Sequence, residues 1–254
     1  MNHLRSLLAV VALPVCLLAT WWLTSQHSES FFWPPLQEIL AVLPPTWLDE
    51  RLWSDVVPSL ARMASGYAVA VVVGIVIGIA VGRSTSLRQY CEPVFEFARS
   101  IPAPVLVPVV VLFLGIGDSM KVAVIAFGCV WPILLNTVEG ARSVDEVLAD
   151  TVRVYRLRPL TRFRRLVFRA ASPHIMTGAR QALSIALILM VISEMFAASN
   201  GLGFVTVQFQ RSFAIPQMWS GILLLGAIGV TLALLYRLVE RRVLAWYFGQ
   251  RDKR

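Results

Sequence analysis

Few residues in this chain have the type and spacing that chemistry needs. Ser59, Ser65 and Ser100 have no base near them in sequence, and His3, His27 and His174 lie far apart. Cys16, Cys91 and Cys129 sit in or beside apolar segments without metal-ligand spacing, the pattern of small buried hydrophobes. The chain has no H-E-x-x-H pair, and no G-x-x-x-x-G-K-[ST] loop to cradle a nucleotide phosphate. No catalytic residue, metal ligand or bound cofactor is therefore expected. Two features remain. Glu194 is the one acidic residue well inside an apolar run, QALSIALILMVISEMFAA at 181–198. A carboxylate in hydrocarbon costs several kcal/mol, so it must face protein or water, either lining a pathway or gate or bonding another helix. Ser193, Ser199 and Asn200 lie close by, and Gly201-Leu202-Gly203 ends the helix. The second feature is DTVRVYRLRPLTRFRRLVFRAASPHIMTG at 150–178. Arg153, Arg156, Arg158, Arg162, Arg164, Arg165 and Arg169 stand there against the single Asp150. Its apolar residues Val154, Leu157, Leu160, Phe163, Leu166 and Val167 recur every three or four positions, as on an amphipathic helix whose stripe needs a partner.

The elements that hold these features are apolar helices. The chain of 254 residues is 57% hydrophobic and 15% charged, with mean hydropathy +0.70, outside the range of soluble domains. An all-α integral membrane protein of about six transmembrane helices is expected, as one domain over 1–254. The expected spans are 7–24, 64–82, 102–116, 120–138, 181–198 and 219–238, with a cytoplasmic loop at 139–180. A net charge of +8 could suggest nucleic acid, but its distribution fits the positive-inside rule instead. With both termini in the cytoplasm, inside segments hold 19 of the Lys and Arg residues and outside segments hold four, Arg51, Arg62, Lys121 and Arg211. The section 25–62 is net acidic and should lie outside, with Pro34-Pro35 and Pro44-Pro45 breaking any helix through it.

Within the spans, Gly66, Gly74, Gly78 and Gly82 form a stripe that lets another helix approach closely. Pro102, Pro104 and Pro108 crowd the start of the third span. Such distortion is tolerated where freed carbonyls face protein or a water-filled cavity, so Pro104 is a candidate pathway residue. Pro132 and Asn136 are likewise unusual for a helix facing lipid, and Asn136 joins the candidate pathway set with Glu194, Ser193 and Asn200.

The basic stretch resembles the cytoplasmic EAA loop of ABC-importer permeases, whose pattern is E-A-A, three residues, Gly, nine residues, I-x-L-P. Asp150, Thr151 and Val152 stand at E-A-A, Arg156 at Gly, Leu166 at Ile, Phe168 at Leu and Arg169 at Pro. The flanks are similar to the sulfonate/nitrate/taurine branch: FFWPP at 31–35, SLARMASGY at 59–67, RSIPAPVLVPVVVLFLGIGDSMKV at 99–122, NTVEGARSVD at 136–145 and SEMFAASNGLGF at 193–204. The resemblance covers nearly the whole chain.

It implies the membrane-spanning subunit of an ATP-driven importer in the bacterial plasma (inner) membrane, not itself an enzyme. ATP and Mg would sit on a separate ABC ATPase, docked through amphipathic coupling helices between spans four and five. The coupling residues implied are Asp150, Thr151, Val152, Arg153, Arg156, Leu157, Leu160, Leu166, Phe168 and Arg169. Further implied partners are a second permease copy or paralogue and an extracytoplasmic solute-binding protein, within the lipid bilayer. The implied solute is a small anionic or polar organic molecule of the sulfonate, taurine, nitrate or vitamin-precursor class. The alternative is an ion-coupled secondary transporter using Glu194, which an internal repeat would favour; the two halves show no convincing similarity. An intramembrane enzyme lacks a candidate nucleophile, base or metal set.

Overall fold

A computed structural model describes residues 2–26, 28–196 and 198–251, with side chains throughout these except at 2–11, 14, 146, 149, 153, 248, 250 and 251. The described residues are helical apart from turns and short connections. The helices are α1 (Asn2–Ser25), α2 (Leu36–Trp47), α3 (Val57–Gly82), α4 (Thr85–Ser100), α5 (Val107–Leu114), α6 (Asp118–Arg142), α7 (Glu146–Val154), α8 (Pro159–Arg162), α9 (Phe168–Phe196), α10 (Leu202–Arg211), α11 (Ile215–Val243) and α12 (Ala245–Arg251). Wide π-helical turns at Leu52–Val56 and Phe163–Val167 join without a break onto α3 and α9. Four helical stretches are long and apolar enough to cross a membrane: Leu52–Gly82, Asp118–Arg142, Pro159–Phe196 and Ile215–Val243. A bent pair could supply a fifth.

The core is the trio α3, α6 and α9, and small residues bring them together. A Cβ added to Gly78 would stand 2.6 Å from the Thr137 Cβ of α6, and one on Gly66 2.8 Å from the Ile125 Cβ. Gly74 and Gly82 abut Ile133 and Ala141 in the same way, so the whole expected stripe faces α6. On the other flank of α6, Gly140 lies against Ala171 and His174, and Gly178 of α9 against the Pro132 carbonyl and Asn136. Lipid tails are as apolar as the helices, so close approach and hydrogen bonds, rather than the hydrophobic effect, hold such helices together. Tyr67 donates to the Ala179 carbonyl at 2.9 Å and Tyr236 to the Met176 carbonyl at 2.6 Å, clasping α3 and α11 to α9. Arg180 and Glu240 add an ion pair between α9 and α11.

Several expected boundaries are corrected. The expected third span, 102–116, is only the second arm of a helix pair bent by 81°, Thr85–Ser100 and Ala103–Leu114. Its regular part, α5, is about 12 Å long, too short to cross by itself. Pro102 forces Ile101 out of the helical region, to φ −76° and ψ 117°, and α4 ends there. Between the expected second and third spans the chain forms the amphipathic α4, capped by Ser84 accepting the Leu87 amide at 3.2 Å. The expected loop 139–180 is largely helical: α6 runs to Arg142, α7 covers Glu146–Val154, and helix from Pro159 continues to Phe196. Pro44 and Pro45 lie inside the last turn of α2 rather than preventing it; that helix begins directly after Pro35. Trp47 at its end is fully buried, donates to Ser220 at 2.8 Å and abuts Gly221 of α11.

Candidate functional site

Glu194 is the centre of a buried polar cluster at the end of the bundle opposite the basic loop. It lies in the last turn of α9 and is completely buried. Arg62, 6% exposed, donates to Glu194 Oε1 from Nη1 at 2.9 Å. Ser59 Oγ lies 2.7 Å from the same oxygen, and the Gly203 amide donates to Oε2 at 3.0 Å. The carboxylate therefore ties α3, α9 and α10 together.

Arg62 uses the rest of its guanidinium fork as fully. Nε donates to Asp118 Oδ1 at 2.7 Å, and Nη2 donates to Asn200 Oδ1 at 2.7 Å. Asp118 is the first residue of α6, so a fourth element joins the cluster; Lys121, itself buried, stands 3.7 Å from the same carboxylate oxygen. Asp55 accepts the Gly201 amide at 2.8 Å and the Ser54 hydroxyl at 2.8 Å. Ser59 also accepts the Leu202 amide at 2.9 Å, while its one proton serves either Glu194 or the Asp55 carbonyl, 2.8 Å away. The free amides that open α10 are thus met by three side chains from other helices. A buried ion is tolerated when its remaining bonds are filled, and here they are.

Glycine at 201 is a geometric requirement. Its φ is +119°, and a Cβ there would stand 2.5 Å from the Glu194 carboxyl carbon.

The other expected pathway residues scatter. Asn200 belongs to the cluster. Ser193 is fully buried and donates to the Met190 carbonyl of its own helix at 2.9 Å. Asn136 is half-buried in the C-terminal half of α6 and donates its side-chain amide to the Pro132 carbonyl of the preceding turn at 2.8 Å. Pro104 lies at the helix break, on a cavity of about 280 Å³ shared with Arg99, Phe127, Trp131 and Ile188. Sequence reasoning placed Arg62 and Asp55 among loop charges and gave Ser59 no role. Their spacing held a signal: Asp55, Ser59 and Arg62 recur at i, i+4 and i+7, one polar stripe on a helix that then turns wholly apolar.

At the opposite end, the residues expected to couple form α7, a tight turn and α8. Asp145 caps α7 by accepting the Leu148 amide at 3.0 Å. The helix ends in a left-handed cap: the Leu157 amide reaches back to the Val152 carbonyl at 3.3 Å, with Arg156 at φ +49°. This is the turn position that the resemblance assigns to Gly. Leu157 and Leu160 are exposed despite being apolar, as are Val154 and Tyr155. Asp150 and Thr151 are exposed on α7, Val152 is half-buried, and the Arg153 side chain lies outside the described residues. Leu166 is half-buried in the wide turn and Phe168 is 44% exposed. Arg169 stacks on Trp246 of α12 with its guanidinium carbon 4.7 Å from the ring centroid.

The family model for the binding-protein-dependent transport system inner membrane component matches residues 70–245. The taurine transport system permease protein TauC of Escherichia coli K12 is 31% identical over 241 residues, 91% of this chain and 86% of that protein. The nitrate import permease protein NrtB of Synechocystis sp. PCC 6803 is 30% identical over 184 residues, 72% of this chain and 67% of that one. Among solved structures, an inward-facing MetNI methionine ABC transporter matches 80% of this chain and 97% of its own at a TM-score of 0.60 and 19% identity, a likeness of fold.

Proposed function

The chain belongs to the family of binding-protein-dependent transport system inner membrane components, the permeases of ABC importers, and from that premise we propose how it works. It is a multi-pass membrane protein and a transport subunit rather than an enzyme. In our reading it crosses the plasma membrane six times as one domain over 1–254, with both termini and the basic loop inside. Two copies, or this chain with a paralogue, enclose the pathway. An outer binding protein delivers the solute, and a separate ATPase supplies the work.

The observation that carries this reading is the segment 146–160. Its apolar residues Val147, Leu148, Val154, Tyr155, Leu157 and Leu160 are exposed among arginines, at the end of the bundle where positive charge collects. A helix with this pattern fits a hydrophobic groove with acidic rims on a soluble partner, apolar residues filling the groove and arginines setting the register. Asp150, Thr151, Val152, Arg153, Arg156, Leu157, Leu160, Leu166, Phe168 and Arg169 are its proposed contact set. Because α8 runs unbroken into α9, a push on this segment travels along one rigid rod to Glu194 at the other membrane face. Glu194 and Asn200 then act as a gate-side latch, with Asn136, Ser193 and Pro104 along the shaft. The bonds from Arg62, Ser59 and Gly203 favour this latch over an ion-coupled carrier, which would need Glu194 free to load and release a proton. The solute class is a small anionic or polar organic molecule of the sulfonate, taurine, nitrate or vitamin-precursor class, by likeness to the taurine and nitrate relatives.

The test is affinity purification of the chain in mild detergent, with co-purifying proteins identified. Recovery of an ATPase with Walker motifs, reduced at least tenfold by Leu157→Asp, is the expected result. Recovery of the chain alone, still moving solute in vesicles without ATP, would overturn it.

A further inference from the structure

A cavity of about 740 Å³ opens at the outer end of the bundle, over the last turns of α9 and α10, the first turn of α11 and Phe32. Met195, Phe196 and Phe213 are among its walls, and its polar lining residues are Gln210 and Arg211. Arg211 is the single charged residue there, and its side chain makes no hydrogen bond or ion pair among the described residues. It is also the sole charge in the sequence between Glu194 and Arg237. The cavity therefore holds an uncompensated cation beside apolar and aromatic walls. One wall is built at a conformational cost. Phe213 takes φ +57° at the left-handed cap of α10, where the Ala214 amide bonds the Phe209 carbonyl at 2.9 Å. Left-handed backbone is unusual for a bulky residue, and here it leaves the ring exposed on the cavity.

We propose that this cavity is the receiving site for the anionic solute, resting on the importer reading above. The Arg211 guanidinium takes the sulfonate or carboxylate oxygens, its planar fork matching two of them at once. Gln210 supplies a further amide donor, and the aromatic and thioether walls cover the organic body. A phospholipid phosphate has the same chemistry, but its acyl chains need a groove running down the helices. This cavity is confined to residues 195–218 and Phe32. Its floor, Met195 and Phe196, directly follows Glu194, so an occupant sits within a turn of the latch.

The test is thermal unfolding of the purified full-length chain in uncharged detergent, titrated with ethanesulfonate against chloride at matched ionic strength. Ethanesulfonate should raise the midpoint. Arg211→Gln should weaken its apparent affinity at least tenfold without lowering the unliganded midpoint, and Arg211→Lys should retain part of the response. Phe213→Gly, which removes the wall and relaxes the backbone, should weaken the response in a protein at least as stable as the parent. No response in the parent chain, an undiminished response in Arg211→Gln or Phe213→Gly, or a response to phosphatidylglycerol alone would each overturn the proposal. The readout needs no ATPase, so a sulfonate response in a chain that recovers no ATPase would uphold the site while removing the importer reading.

Discussion

Replacing either partner of the Arg62–Glu194 pair should cost far more than an ordinary interhelical hydrogen bond. Arg62→Met leaves a fully buried carboxylate with Ser59 and the Gly203 amide as its remaining donors. Breaking a buried pair from one side costs about 3–5 kcal/mol, because the survivor keeps its desolvation penalty. Glu194→Gln should be milder, about 2 kcal/mol, since the amide retains the volume and one acceptor while Arg62 keeps Asp118 and Asn200. The double variant Arg62→Met/Glu194→Gln should cost less than the sum, giving a coupling energy of about 2 kcal/mol. The comparison that decides is the interhelical hydrogen bond in membrane proteins, which averages about 0.6 kcal/mol in such cycles. The assay is reversible unfolding in mixed micelles with an ionic detergent as denaturant, followed by circular dichroism. Additive effects, or a coupling at or below that average, would refute the view that a desolvated charge pair organises this end of the bundle.

Gly78→Val should destabilise by about 3 kcal/mol or more in the same assay, because its Cβ would stand 2.6 Å from Thr137 on a close-packed helix face; Gly226→Ala, in open space, is the matched control and should change little. Arg156→Gly should stabilise the 146–160 segment by about 1 kcal/mol, since glycine meets φ +49° without a Cβ penalty; faster proteolysis of that segment would count against it. Tyr236→Phe should cost about 1 kcal/mol for the lost bond to the Met176 carbonyl, measured by the same unfolding curves.

What one sequence can determine follows from local physics. The apolar runs, their charge asymmetry and the glycine stripe are properties of single helices, and they specified a helical membrane protein and the face on which α3 meets α6. The amphipathic pattern at 150–169 marked the exposed apolar residues Val154, Leu157 and Leu160, but not the turn that divides the stretch between α7 and α8. The left-handed turn came at the position the resemblance assigns to Gly, although Arg156 occupies it.

Tertiary structure decided the rest, because it joins residues that no local pattern links. Arg62, Asp118 and Glu194 stand on three helices, 56 and 132 positions apart for the two bonds of Arg62. Glu194 was legible as a carboxylate in need of a partner, but Arg62 and Asp118, as separate charges near span ends, are what any membrane helix carries. Only the approach of α3, α6 and α9, permitted by glycines, removes water from Arg62 and Glu194, leaves Asp118 open to solvent, and makes one arginine the counter-ion of two carboxylates. The break at Pro102 was legible as a distortion, but not the 81° bend, since a proline removes a hydrogen bond and the packing around it sets the direction.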